Sequence, residues 1–168
     1  GPQTNYTLLH GPHIPTGAWD YVSDCLNTGW VSSAGAYVTQ FEDELAKFTG
    51  AKRAIALVSG TAALEVGLHL AGVQTNDEVW MPSLTFVATA NAAKHLGAEP
   101  HFIDVDPNHL GMCAKTLRGR LASVVEYRKG SYFNRESKRR IGAICPMHCF
   151  GSPCDLDALQ DSCHEFDI

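Results

Sequence analysis

Four short stretches carry residue types that could do chemistry. Ser59-Gly60-Thr61-Ala62-Ala63-Leu64 joins an apolar run to a helical pattern. Unpaired N–H groups at a helix start, reinforced by the helix dipole, attract anions. Gly60 lets a ligand approach the backbone and Thr61 adds a hydroxyl donor, so a phosphate fits there. Taken alone, the same residues also read as an ordinary helix cap. Pro82-Ser83-Leu84-Thr85-Phe86 follows a second apolar run. Ligands of open α/β sheets bind at the carboxyl ends of the strands, and Phe86 could stack there on a flat ring; a lone Phe reads equally as core. His148, in Pro146-Met147-His148-Cys149-Phe150-Gly151, also follows an apolar run, as a site residue or as a hydrogen-bonded structural one. Cys145, Cys149 and Cys154 lie close to it, and Cys145-x3-Cys149 falls within zinc-ligand spacing. Cys145, however, belongs to an apolar strand and no second clean pair exists, so no metal is assigned.

These stretches need elements to position them. Trp19, Val22 and Leu26 recur at helical spacing and Thr28-Gly29 stops that helix. Val38, Phe41, Leu45 and Phe48 mark a second helix, closed by Thr49-Gly50. The small, polar residues 30–37 between the two helices read as a loop. From residue 51 the pattern becomes an alternation. Strands are expected at 53–58, 79–81, 101–105 and 141–147. Helices follow at about 61–71, 86–96 and 155–165, with a shorter one near 115–125. Alternating strands and helices imply an α/β fold, with a mostly parallel sheet covered on both faces in three α-β-α layers. Residues 1–16 read as an N-terminal arm and 17–168 as part of one domain. The basic stretch 127–140 reads as an exposed loop.

Composition narrows the function. The 168 residues carry a net charge of −5, with 45% apolar and 18% charged side chains, as in ordinary globular proteins. Neither a nucleic-acid partner nor a membrane is expected, and no Walker A, GxGxxG or GxSxG pattern occurs. The six cysteines are not spaced as a secreted disulfide framework, which points to a reducing cytoplasm. The chain stops one helix after a strand, leaving a sheet edge to be paired, so an incomplete domain is expected.

Read in order, the motifs resemble the DegT/DnrJ/EryC1/StrS family of sugar aminotransferases over nearly the whole of 17–168. The resemblance rests on Thr28-Gly29-Trp30-Val31-Ser32-Ser33, Val38, Phe41-Glu42, residues 59–64, Asp77-Glu78-Val79, residues 82–91, Phe102-Ile103-Asp104-Val105-Asp106 and residues 146–151. It implies a type I pyridoxal 5′-phosphate (PLP) transferase fold, truncated here, and a homodimer with shared active sites. It also implies amino transfer, typically from glutamate, to a keto sugar on a nucleotide. The long polar stretch before Ile141 is most similar to the branch acting on nucleotide-linked 4-keto-6-deoxy-N-acetylhexosamines.

By resemblance, Gly60 and Thr61 bind the PLP phosphate and Phe86 stacks on its ring. The loop 32–37 would lie near a substrate pocket; Ser33 in it, and His148 from its place after a strand, are the expected substrate-binding residues. The family's aspartate for the pyridine nitrogen and its catalytic lysine both fall beyond Ile168. Asp167 does not match, nor do Lys47, Lys52, Lys94, Lys115, Lys129 and Lys138. No catalytic residue is therefore assigned, and the chain by itself is expected to be inactive. Two alternatives remain: a non-catalytic binding module or subunit of a split enzyme, and an unrelated α/β protein.

Overall fold

The computed structural model describes residues 11–166 and 168; most of the expected arm, and Asp167, lie outside the described residues. The chain divides into two compact units, Gly1–Ala56 and Leu57–Ile168.

The first unit contains α1 (Ala18–Thr28) and α2 (Ala36–Thr49). Both helices stop where the sequence indicates, on glycines in the left-handed region: Gly29 at φ 76° and Gly50 at φ 72°. The Tyr37 hydroxyl donates to Asp24 across the pair at 2.9 Å, and the Tyr21 and Tyr37 rings meet edge-on. Neither helix buries a residue, so the expected face of Trp19, Val22 and Leu26 is an exposed apolar one.

The second unit holds α3 (Gly60–Leu70), β1 (Glu78–Pro82), α4 (Val87–His95), β2 (Glu99–Ile103) and α5 (Ala114–Val124). A hairpin follows, β3 (Val125–Arg128) and β4 (Ser131–Asn134), then β5 (Ile141–Ile144) and α6 (Leu156–Glu165). The sheet runs β2-β1-β5, all parallel, with β1 in the centre. Successive side chains of a strand face opposite sides, and here each side has its own helices. Val79 and Met81 pack with Leu68 of α3 and with Ala92 and Ala93 of α4. Trp80, Ile103 and Ile141 pack with Leu117 and Leu121 of α5 and with Leu159 of α6. This is the three-layer α-β-α arrangement expected from the sequence.

Two expectations are corrected. Residues 53–58 form no strand. The apolar pattern is there, but no strand pairs with it, and Ile55 and Val58 are 78% and 96% exposed. Residues 127–140 are not a loop: most of them build the antiparallel β3–β4 hairpin and the turn after it. What orders this basic stretch is a set of acceptors in the sheet. Asn134, fully buried, donates to both oxygens of Glu78 (3.3 and 3.1 Å). Glu78, at the start of β1, also accepts from Trp80 Nε1 at 2.8 Å. Arg140 pairs with the buried Asp77 and donates to the Gly72 carbonyl at 2.6 Å. Close approach here requires glycine at 142, where a Cβ would lie 2.8 Å from Asp77 Oδ2. His101 stacks on Trp80 (centroids 4.4 Å apart) and its Nε2 accepts from Arg120, which in turn pairs with Glu136 at 2.5 Å.

Asn134→Ala leaves a buried carboxylate short of a donor and is expected to cost about 2–3 kcal/mol in urea denaturation. Asn134→Asp, which sets a second carboxylate against Glu78, is expected to cost more at pH 7. A second expectation concerns His101. Burial, and after it the nearby Arg120, hold its pKa below the ordinary value, although Glu78 and Glu136 pull the other way. The unfolded chain therefore takes up this proton near pH 6.5 while the folded chain does not. Stability contributed by neutral His101 is present above that pH, declines below it, and levels off once the folded site also protonates. His101→Gln should flatten this part of the melting-temperature profile; an unchanged slope would assign it elsewhere.

Candidate active site

The three parallel strands end together, so the segments after Pro82, Ile103 and Ile144 share one edge of the sheet. Helix α3 reaches the same edge from its other end. Its last turn leads through Gly72 and Val73 into the start of β1, so it runs antiparallel to that strand. Its 11 residues rise about 16 Å, roughly the length of the 5-residue β1. The start of α3 is thereby level with the carboxyl ends of the strands.

At that start Ser59 is the cap, in extended conformation (φ −161°, ψ 162°). Its Oγ accepts the Ala62 N–H at 3.2 Å and its carbonyl accepts the Ala63 N–H at 3.0 Å. The N–H groups of Gly60 and Thr61, and the Thr61 hydroxyl, have no partner among the described residues. A Cβ built on Gly60 meets nothing within 4 Å, so packing does not demand glycine there and the space beside the two free amides is open. An oxyanion has donors and room at this point.

Phe86 caps α4 with no side-chain hydrogen bond, and its ring is 75% exposed rather than in the core. Ser83 is pinned by its N–H to the Ile103 carbonyl at 2.8 Å, and the hydroxyls of Thr85 and Thr89 meet at 2.9 Å. His148 follows β5 and is exposed; its Nδ1 lies 3.2 Å from the Cys154 N–H and 3.4 Å from Cys154 Sγ. Gly60, Thr61, Phe86 and His148 thus share one edge of the second unit. Ser33 belongs to the first unit, exposed in the loop after α1, beside a cavity of about 230 Å³ lined by Trp30, Ser32, Ala34 and Tyr37. A cavity of about 540 Å³ lies between α1 and α2, lined mainly by apolar residues and by Tyr37, and Ser33 is not among its lining.

Two groups that matter here were not singled out from the sequence: Ser59, whose hydroxyl decides which amides stay free, and the backbone N–H of Cys154. Ser before Gly-Thr at a helix start is a readable cap signal; the Cys154 amide has none. Burial pushes the thiols of Cys145, Cys154 and Cys163 up, away from the reactive thiolate. A PLP group fits what is present in part: the two amides and Thr61 suit its phosphate and Phe86 its ring face. In this arrangement the edge can hold an anion and a flat ring and can donate hydrogen bonds.

The chain is 34% identical to GDP-perosamine synthase of Caulobacter vibrioides over 150 residues, 89% of this chain and 36% of that protein. It spans 31–39% of the length of the curated relatives it matches. Among solved structures, an aminotransferase from Brucella abortus superposes with a TM-score of 0.75 at 28% identity, covering 88% of this chain and 37% of that one. Spr1654 from Streptococcus pneumoniae in its PLP form does so at 0.71 and 27%, covering 90% and 34%. No helix among the described residues is long and apolar enough to cross a membrane. Matched over residues 14–168 by the model of the DegT/DnrJ/EryC1/StrS aminotransferase family, the chain belongs to that family of PLP-dependent enzymes.

Proposed function

We propose that this chain is the N-terminal portion of a cytoplasmic, homodimeric aminotransferase that moves an amino group from glutamate to a nucleotide-linked keto sugar, a 4-keto-6-deoxy hexosamine. One observation carries the reading. The two unpartnered amides of Gly60 and Thr61 open onto free space at the sheet edge that also bears the exposed Phe86. Gly60 and Thr61 hold the cofactor phosphate with backbone donors, the Thr61 hydroxyl and the α3 dipole. Phe86 covers one face of the ring and keeps water from it. Ser33 and His148 meet the substrate. Bound PLP supplies the electron sink that amino transfer needs.

In this reading the aspartate for the ring nitrogen and the lysine base lie outside these 168 residues, whose own part is to bind and orient. The apolar faces left open on α1 and α2 support a homodimer, with Trp19, Leu26, Phe41 and Phe48 covered in it.

The test uses pyridoxine 5′-phosphate, which has the ring and phosphate but no aldehyde to react with surface lysines. Calorimetry on the 168-residue chain should detect binding, with inorganic phosphate competing. Amide resonances of Gly60 and Thr61 should shift. Thr61→Val removes one donor to a charged acceptor, worth about 1.5 kcal/mol or more, and should weaken affinity roughly tenfold. Phe86→Ala should weaken it several-fold without affecting phosphate alone. A folded chain whose affinity is indifferent to both changes would sink the assignment.

A further inference from the structure

We infer that the turn after β5 is a built hydrogen-bond donor subsite, in which His148 is held as its Nε2-protonated tautomer and offers that N–H to a sugar oxygen of the substrate. The Cys154 amide and Gly111 are its positioning groups. This rests on the proposed reading of the edge as a sugar-nucleotide site.

The tautomer follows from one contact. The Cys154 backbone N–H lies 3.2 Å from His148 Nδ1 and can only donate. Nδ1 must accept, so the proton of a neutral imidazole sits on Nε2. Nε2 has no partner among the described residues and the ring is exposed. The anchor itself is rigid. Cys154 is 4% exposed and packs into the core shared by α5 and α6. His148 therefore reaches solvent from a buried support.

Gly111 keeps that support in place. It is buried in the segment between β2 and α5, where its carbonyl accepts the Asp106 N–H at 2.9 Å and its N–H donates to His109 Nδ1 at 3.1 Å. A Cβ added to Gly111 would lie 2.7 Å from the Cys154 Cβ and 3.1 Å from the Met147 carbonyl. Neither is the free end of a flexible side chain, so the neighbours would have to move. Met147 precedes His148 in the chain and Cys154 holds its ring, so that movement reaches the imidazole from both sides.

The register supplies the location. β5 pairs with β1 so that Trp80 faces Ile144, which places His148 beyond the carboxyl end of the strand beside the one leading to Phe86. A fixed N–H donor without acceptor capacity at its free nitrogen selects an oxygen acceptor such as a sugar carbonyl or hydroxyl.

The test is long-range ¹H–¹⁵N spectroscopy of the imidazoles in the 168-residue chain. His148 is assigned by the signal lost in His148→Gln. Above neutral pH a single Nε2–H pattern is expected, unchanged in Cys154→Ala, which keeps the amide. Gly111→Ala should give mixed tautomers while other histidine signals stay put. If that variant does not fold, the Cys154 amide proton decides, moving upfield in His148→Gln when its acceptor is lost or altered. An Nδ1–H pattern in the parent chain, or a tautomer that changes in Cys154→Ala, overturns the inference. Titration with UDP-N-acetylglucosamine should move the His148 Nε2 resonance, and UDP alone should not. If pyridoxine 5′-phosphate shifts Gly60 and Thr61 but the sugar nucleotide leaves His148 unmoved, the subsite fails and the cofactor reading stands. If neither ligand moves anything, the cofactor reading fails with it.

Discussion

Two adjacent carboxylates at the entrance of the central strand cannot be buried unless they are answered. Asp77 and Glu78 are 5% and 4% exposed. A buried charge left alone is prohibitive, and one that is paired and hydrogen-bonded is tolerated. Asp77 is answered by Arg140 and by the Gln74 N–H at 2.7 Å; Glu78 is answered by Asn134 and Trp80. Asn134 in the hairpin and Arg140 just before β5 lie 56 and 63 positions away along the chain. Answering the two carboxylates therefore draws the basic hairpin against the sheet and sets where β5 begins. Replacing the network by apolar groups need not lose stability; in this structure it sits where β5 joins β1, with Glu78 opposite Ile141 and a register shift directly after it.

From that entrance the geometry runs outward to the opposite edge. β1 is the only strand of the sheet paired on both sides, and α4 begins directly after the turn that it leads into. Helix α3 returns along the sheet over the same distance, which is why two helix starts and three strand ends meet at one edge. The molecule is polar in function as well as charge. Acid–base pairing occupies the strand starts, and free donors and an exposed ring occupy the strand ends. The basic hairpin lies with the strand starts, where Asn134 meets Glu78.

How much of this could be read from residues depends on the range of the interaction. Gly29 and Gly50 end their helices as expected, because a left-handed residue after a helix is a local requirement. The β-α alternation from residue 78 onward was also legible, since Val79, Met81 and Ile103 carry their burial in their own side chains. The hairpin was not. Tyr127, Arg128, Ser131 and Tyr132 are polar or half-exposed, and what orders them is Glu78, a residue far away in sequence. In the site, Thr61 and Phe86 were singled out by type and position. Of the groups that prepare the site, the Ser59 hydroxyl is readable as a cap, whereas the Cys154 amide acts through geometry that residue type alone does not encode.

Residues 53–58 show the same limit from the other side. Ile55, Leu57 and Val58 have the composition of a strand, and a strand is a property of a pair. Without a ladder the segment is held at Ala56, whose N–H donates to Glu42 Oε1 at 2.7 Å, while Ile55, Leu57 and Val58 stay exposed. Yet this segment leads into Ser59. The order of the free amides at Gly60 and Thr61 therefore does not come from a preceding strand in this chain. It comes from the cap hydroxyl and from the packing of Leu64 and Leu68 against the sheet. A side-chain cap is worth about 1 kcal/mol, little against the cost of ordering a loop residue by residue. The turn at Gly60 and Thr61 is thus held by its cap and by packing on its helical side, and by no strand among the described residues on its approach. Any partner strand that pairs with residues 53–58 would tighten the approach, and so raise affinity for an anion it never touches.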